Sequence, residues 1–224
     1  MKSLSEFIKS YINDNYEDII EKFREYEKIL LDWNKKFNLI SRKQSGIEKI
    51  IIDSIFFLSD YKFIGNEKVI DIGSGGGFPG IPLKIIYPRL KITLLDSIQK
   101  KVKVLNDIVN KLNLADTETV CARAESLSKD IKYKNKYDIV ISRAVSELSN
   151  LYKWSKDFLN SSGKMICIKG GNINKEVNTF RKNCKFNNIE IKSYSLKSLI
   201  PNYLTGEADC SSDVEELKHI IILK

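Results

Sequence analysis

The sequence predicts an α/β fold in which a doubly wound, mostly parallel Rossmann-like sheet carries an N-terminal helical extension and an antiparallel C-terminal edge. Short apolar segments alternate with helical segments from residue 67 onward, as expected for a parallel sheet that is covered on both faces. The first apolar segment runs directly into a glycine-rich turn at 73–77. We expect one domain, with 1–62 as the helical extension and 63–224 as the core.

Composition and length fit a globular protein of this class. The chain has 224 residues, of which 42% are hydrophobic and 29% charged, and no apolar run approaches the roughly 20 residues that span a bilayer. The N-terminus lacks the pattern of a signal peptide, so we expect a cytoplasmic protein with no membrane association. One histidine and four dispersed cysteines predict reduced thiols and no metal site; these residues are His219, Cys121, Cys167, Cys184 and Cys210.

Two helices are predicted before the sheet. Apolar residues that recur every three or four positions indicate an amphipathic helix over 16–37, and a second helix follows near 46–60. Asp53 lies among isoleucines of the second helix and would need a partner if it were buried.

The first predicted strand, 67–72, leads into the turn that bears the main chemical signal. Gly73, Gly75 and Gly77 can adopt positive φ and let the backbone approach a ligand, and prolines follow where a helix should begin. Asp71 precedes this turn, where a carboxylate would repel a bound pyrophosphate. The pattern instead resembles the nucleoside-binding loop of S-adenosylmethionine-dependent methyltransferases, although Asp71 could simply stabilise the turn.

The second strand, 91–96, ends in a carboxylate. Asp96 follows Gly77 by nineteen residues (96 − 77), about the spacing at which an α/β unit places an acid on ribose hydroxyl groups. The alternative is that Asp96 caps the next helix, which is a common use of this residue.

Three further strands, at 117–122, 137–142 and 164–169, bring polar residues to the same edge. Ala124 and Glu125 follow the third strand and either close on an adenine ring or only begin a helix. Arg143 and Lys169 follow the next two strands, where cations suit phosphate or guanine oxygens, or ordinary salt bridges. The segments 186–196 and 219–223 are predicted to close the antiparallel edge, and 202–216 to form a loop.

Several separated segments resemble the bacterial glucose-inhibited division protein B family, which methylates guanine N7 in small-subunit ribosomal RNA. The matching segments are 33–35, 37–39, 53–54, 71–82, 95–97, 100–101, 142–144, 169–170 and 218–219. The resemblance implies S-adenosylmethionine as cofactor and 16S ribosomal RNA or the small subunit as partner. It implies cofactor contacts at Gly73, Phe78, Asp96, Ala124, Glu125 and Arg143. Two departures are Ile50, where the family usually has histidine, and a longer, more acidic loop before Lys218.

Basic residues outside this edge are candidates for RNA contacts. The net charge is +8 (37 − 29). In the helix after Asp96, apolar residues including Ile98 are expected to face the core, and Lys100 and Lys103 the opposite side, where they contact phosphate or are only solvated. Arg42 and Lys43 lie in a segment that connects two helices, covers the cofactor or contacts RNA. A monomer is expected.

Guanine N7 carries a lone pair and no proton, so it needs no general base. The resemblance therefore fits a chain with a single histidine, in which Arg143 and Lys169 would position the substrate. Three alternatives are a nicotinamide-dependent oxidoreductase, which Asp71 disfavours, a non-catalytic RNA-binding protein, which the intact turn disfavours, and a small-molecule methyltransferase.

Overall fold

A computed structural model describes residues 1–12, 15–37, 46–184, 188–200 and 217–224. Within these residues seven strands form one sheet: β1 Lys68–Ile72, β2 Lys91–Asp96, β3 Thr117–Cys121, β4 Tyr137–Arg143, β5 Leu159–Gly170, β6 Ile189–Ser195 and β7 Leu217–Leu223. The strand order is β3-β2-β1-β4-β5-β7-β6, and among these strands β7 alone runs in the direction opposite to the other six. The predicted fold class is confirmed.

Helices cover both faces of the sheet and precede it. They are α1 Lys2–Tyr11, α2 Tyr16–Asn34, α3 Gly46–Ile55, α4 Gly80–Ile86, α5 Gln99–Lys111, α6 Ala124–Leu127, α7 Leu148–Ser155, α8 Asn174–Cys184 and α9 Leu196–Leu199. Short 3-10 helices follow α3 and α7 at Phe56–Ser59 and Lys156–Phe158. None of the helices in the described ranges is both long and apolar enough to cross a membrane.

The sheet is buried on both faces because its central strands are almost continuously apolar. In β2 every residue after Lys91 is buried, and in β1 every residue after Lys68. The strand order reverses between β1 and β4, so that crossovers leave these two strands in opposite directions. The carboxyl ends of β1 and β4 therefore border a crevice, which is where open α/β sheets bind ligands.

The helical extension packs directly on one face of the sheet. Buried residues of α1, α2 and α3 share a single apolar cluster with α4, α5 and the strands. Helix α1 was not predicted from the sequence, although its buried residues Leu4, Phe7 and Ile8 recur at helical spacing. Helix α2 ends at Asn34, short of the predicted end at 37, and α3 changes into a 3-10 helix at Phe56.

Most predicted strands differ from the observed ones only at their ends. The exception is β5, which begins at Leu159 because this residue already pairs with Tyr137, before a register shift in the ladder between β4 and β5. The assignment of Ile98 to the core is wrong: Ile98 is the N-cap of α5 and is 47% exposed. Cys121, Cys167 and Cys184 are free thiols, whereas Cys210 and the segment 202–216 lie outside the described residues.

Candidate active site

A cavity of about 360 Å³ lies at the carboxyl ends of β1 to β4. The glycine turn, the ends of β2 and β4, the start of α6 and one side chain of α7 line it. Its charged lining residues are Asp96, Lys101, Arg123, Glu125 and Arg143. The cavity therefore brings together five of the predicted cofactor residues, which are Gly73, Asp96, Ala124, Glu125 and Arg143.

The glycines of the turn differ in what they contribute. Gly73, Gly75 and Gly77 have φ of +72°, +58° and +106°, so each takes a conformation that other residues rarely adopt. A Cβ atom on Gly73 would also lie 2.5 Å from Cγ2 of Val145, and one on Gly77 would clash with Ile81. The nearest atom to a Cβ on Gly75 would be 3.8 Å away, so this position requires glycine only for its backbone angle.

Helix α2 contacts the glycine turn through Tyr26. The hydroxyl group of Tyr26 donates a hydrogen bond of 2.7 Å to the Gly76 carbonyl, and the Tyr26 ring lies 5.6 Å from the ring of Phe78. Burial raises the pKa of Tyr26 well above its usual value, so the phenol stays protonated and remains a donor. The spacing of apolar residues places Tyr26 on the apolar face of a helix, but it does not predict the hydrogen bond from Tyr26 to Gly76.

Asp71 is fully buried beneath the turn and does not line the cavity. Its Oδ2 accepts a hydrogen bond of 3.0 Å from the Gly80 amide, at the first residue of α4. Its Oδ1 has no hydrogen-bond partner among the described residues. Burial raises the pKa of Asp71 to about 7, while the Gly80 amide and the guanidinium group of Arg143 oppose this rise. The structure thus supports the interpretation that Asp71 stabilises the turn.

Asp96 connects the glycine turn to the start of α5. Its Oδ2 accepts from the Gly75 amide at 3.0 Å and its Oδ1 from the Ile98 amide at 2.9 Å, while the Lys101 ammonium lies 3.8 Å from Oδ2. Ile98 and not Asp96 is the N-cap of α5, so the capping alternative is wrong. The carboxylate holds the turn and also lines the cavity, and its contact with a ribose stays a prediction.

The end of β3 and helix α7 form the far wall of the cavity. Arg123 is the N-cap of α6, so Ala124 and Glu125 begin a helix and also line the cavity, and their contact with an adenine ring stays a prediction. Ile98 and Trp154 add apolar surface to the wall. Trp154 was missed, because a tryptophan in a helix after β4 gives no signal in the sequence that it reaches a ligand site.

Arg143 and Lys169 lie near the carboxyl ends of adjacent strands, but of the two only Arg143 lines the cavity. The guanidinium carbon of Arg143 lies 5.4 Å from the centre of the Phe78 ring. Burial lowers the pKa of Arg143, and the negative charge of Asp53 opposes this decrease. The ammonium group of Lys169 donates to the Ser146 carbonyl at 2.5 Å and pairs with Glu176 at 2.7 Å. Neither contact tests whether Lys169 positions the substrate, so that role stays a prediction.

The remaining candidates lie outside the cavity. Lys100 and Lys103 are exposed on α5, and the Lys100 ammonium lies 5.8 Å from the centre of the Phe37 ring. Arg42 and Lys43 fall outside the described residues. Asp53, which would need a partner if it were buried, is 16% exposed and forms an ion pair of 3.6 Å with Lys218.

The geometry of the cavity fits S-adenosylmethionine. Its glycine turn leaves room for close backbone approach, and Asp96 and Glu125 offer acceptors for a nucleoside. Asp71 lies beneath the turn and does not line the cavity, and burial raises its pKa to about 7, so its charge does not decide the ligand. The residues that line the cavity suit a nucleoside cofactor.

Solved structures share this fold at low sequence identity. Precorrin-6y C5,15-methyltransferase from Geobacter metallireducens superposes with a TM-score of 0.56 and 14% identity, over 82% of this chain and 92% of that one. A SAM-dependent methyltransferase from Aquifex aeolicus gives a TM-score of 0.52 at 14% identity, over 77% and 92% of the two chains. These similarities establish the fold alone.

Sequence relatives are much closer. Residues 19–200 match the family model GidB, described as rRNA small subunit methyltransferase G. Proteins named ribosomal RNA small subunit methyltransferase G include one from Mesoplasma florum, 45% identical over 72% of this chain and 68% of its own length. Another, from Thermoanaerobacter sp., is 39% identical over 74% of this chain and 70% of its own length. The chain belongs to the rRNA small subunit methyltransferase G family.

Proposed function

We propose that this methyltransferase transfers the methyl group of S-adenosylmethionine to N7 of a guanine in 16S ribosomal RNA. The observation that carries the proposal is the order of side chains along the sheet edge. Glu125, Asp96, the glycine turn and Arg143 stand at or just beyond the carboxyl ends of β3, β2, β1 and β4, which are consecutive neighbours in the sheet. Acceptors for a nucleoside thus lie on one side of the turn and a cation for the substrate on the other.

The cofactor residues divide along the same edge. Ala124 and Glu125 would hold the adenine ring, with Ile98 and Trp154 as apolar walls, and Asp96 would accept from the ribose hydroxyl groups. Gly73, Gly75 and Gly77 shape the turn, while Phe78 and Asp71 support it from within the core. When bound, S-adenosylmethionine supplies an electrophilic methyl group.

Guanine N7 is a nucleophile that carries no proton, so catalysis requires alignment and charge stabilisation but no general base. His219, the one histidine of the sequence, is not among the described residues that line the cavity. Arg143 is the cation best placed to orient the base, because its planar donors can bind guanine O6 or a flanking phosphate. The target base must be unstacked to enter the cavity.

The surface beside the cavity suits an RNA backbone. Ile98 and Lys101, at the start of α5, line the cavity, so the exposed Lys100 and Lys103 lie on the helix that begins at its rim. Together with the net charge of +8, this placement favours a polyanion over a small neutral substrate. We propose that both lysines, and Arg42 and Lys43 in the preceding connection, contact RNA phosphates.

The proposal extends to the organisation of the protein. We propose that the chain is one methyltransferase domain, because its N-terminal helices share an apolar cluster with the sheet. We also propose that it acts as a monomer in the cytoplasm, where small ribosomal subunits reside.

Methylation assays on defined substrates test the proposal. The protein is incubated with methyl-labelled S-adenosylmethionine and either intact small subunits or protein-free 16S ribosomal RNA, and labelled nucleotides are mapped by chain cleavage at N7-methylguanine. We expect one labelled guanine, and we expect Arg143→Ala to lose methyl transfer. Label on an exocyclic amine or only on a small guanine compound would contradict the proposal.

A further inference from the structure

The loop between β4 and α7 forms one wall of the cavity and packs against the glycine turn. Ala144 has φ of +53°, a conformation that costs energy for a residue with a side chain. The Val145 side chain lies so close to Gly73 that a Cβ on that glycine would be 2.5 Å from Cγ2. Both residues line the cavity, so the conformation of this loop determines the shape of the site.

An ion pair behind the loop holds the following segment of backbone. The Lys169 ammonium donates to the Ser146 carbonyl at 2.5 Å and to Oε1 of Glu176 at 2.7 Å. The same Oε1 accepts the Leu148 amide at 2.6 Å. Lys169 therefore holds the carbonyl of Ser146, and Glu176 holds the amide of Leu148, in the segment directly after Val145.

This pair is shielded from solvent, unlike most surface ion pairs. The side chains of Lys169 and Glu176 are 10% and 22% exposed, against 64% and 44% for Lys132 and Glu118, which form a pair of equal length. Charge-assisted hydrogen bonds in a partly desolvated place are stronger than exposed pairs, which contribute little. The removal of either partner would also leave a partly buried charge or backbone group without its partner.

We propose that Lys169 and Glu176 are positioning residues, which hold the loop of Ala144 and Val145 against Gly73 and thereby set the affinity for S-adenosylmethionine. This inference rests on the proposed function in taking S-adenosylmethionine as the ligand. It assigns Lys169 a role through the loop and no direct contact with the guanine or a phosphate. Glu176, which no sequence pattern marked, becomes part of the machinery of the site.

Calorimetry of S-adenosylmethionine binding without RNA tests this role. We expect Lys169→Met to weaken binding by roughly tenfold to a hundredfold, the range of a charged hydrogen bond. Glu176→Gln should weaken it by about threefold to tenfold, because the amide oxygen can still accept from Leu148. Lys132→Met removes the exposed pair of equal length and should leave binding unchanged.

A double substitution of Lys169 and Val145 shows whether Lys169 affects binding through the loop or only through the overall stability of the protein. If Lys169 acts by holding Val145, the effect of Lys169→Met on binding should shrink at least threefold in a Val145→Ala background. Lys169→Arg, which preserves charge and reach, should restore most of the affinity. Additive effects of the two substitutions would overturn the proposal.

The outcomes also separate this inference from the proposed function. Unchanged cofactor affinity in folded Lys169→Met, combined with lost methyl transfer to RNA, would assign Lys169 to the substrate and refute the loop role. If Lys169→Met does not fold, Glu176→Gln decides: weaker binding supports the proposal and unchanged binding refutes it. Absence of S-adenosylmethionine binding by the unmodified protein would instead refute the proposed function.

Discussion

Asp96→Ala tests the central carboxylate of the site. The substitution deprives the Gly75 and Ile98 amides of their acceptors, at 3.0 and 2.9 Å. An unsatisfied buried group costs about 1 to 3 kcal/mol, but both hydrogen bonds are only partly buried and water from the cavity can replace the carboxylate, so the free energy of unfolding should fall by about 1 to 2 kcal/mol. Loss of the ribose acceptor should weaken S-adenosylmethionine binding by about 1.5 to 3 kcal/mol, the range for a hydrogen bond to a charged group.

Urea unfolding measures the first effect and calorimetry of S-adenosylmethionine binding, below the melting temperature, measures the second. Asp130→Ala is the matched control, because its Oδ1 accepts from the amide two residues ahead, as in Asp96, but on an exposed turn away from the cavity. Asp96→Asn keeps an acceptor oxygen and should be more stable than Asp96→Ala. Cofactor affinity unchanged within error in folded Asp96→Ala would refute the assignment of this residue to the ribose.

Three further results are expected. Gly77→Ala should destabilise the fold more than Gly75→Ala, because both have positive φ but only a Cβ on Gly77 meets other side chains. Burial raises the pKa of Asp71 from 3.8 to about 7, so the folded state holds a proton that the unfolded chain releases. The free energy of unfolding should therefore fall as pH rises from about 4 to about 7, and Asp71→Asn should flatten this dependence in urea titrations. Replacement of Lys100 and Lys103 by Gln should reduce the salt slope of RNA binding by about one to two units, without effect on cofactor affinity.

Each of these results has its own control. Gly171 has φ of +70° and open space around its Cα, so Gly171→Ala isolates the cost of the backbone angle for the glycine comparison. Equal stability of the Gly75 and Gly77 variants would contradict the steric argument. An Asp71→Asn protein with the same pH dependence as the unmodified protein would assign the titration elsewhere. Lys134→Gln with Lys136→Gln, near the amino end of β4, is the control for charge alone; an equal change in slope would refute a specific RNA contact on α5.

The features that could be predicted from the sequence are those encoded locally. Alternation of apolar and helical segments gives the parallel sheet, because strands buried on both faces must be continuously apolar. The positive φ of Gly73, Gly75 and Gly77 follows from the residue type, and the placement of Asp96 in the cavity follows from its position at a strand end beside the turn. The carboxyl ends of parallel strands meet at one edge of a sheet, so the positions of Ala124, Glu125 and Arg143 after or at strand ends predict that they lie at this edge.

The tertiary structure decided which side chains meet and which remain available to a ligand. Periodicity shows that a residue faces a core but not what it contacts there, so the hydrogen bond from Tyr26 to Gly76, fifty residues apart in sequence, had no signal. Lys169 had the right position for a substrate contact, yet its ammonium group is held by Glu176 from a helix further along the chain. The direction of a side chain depends on the packing of elements distant in sequence, and this packing exists only in the folded protein.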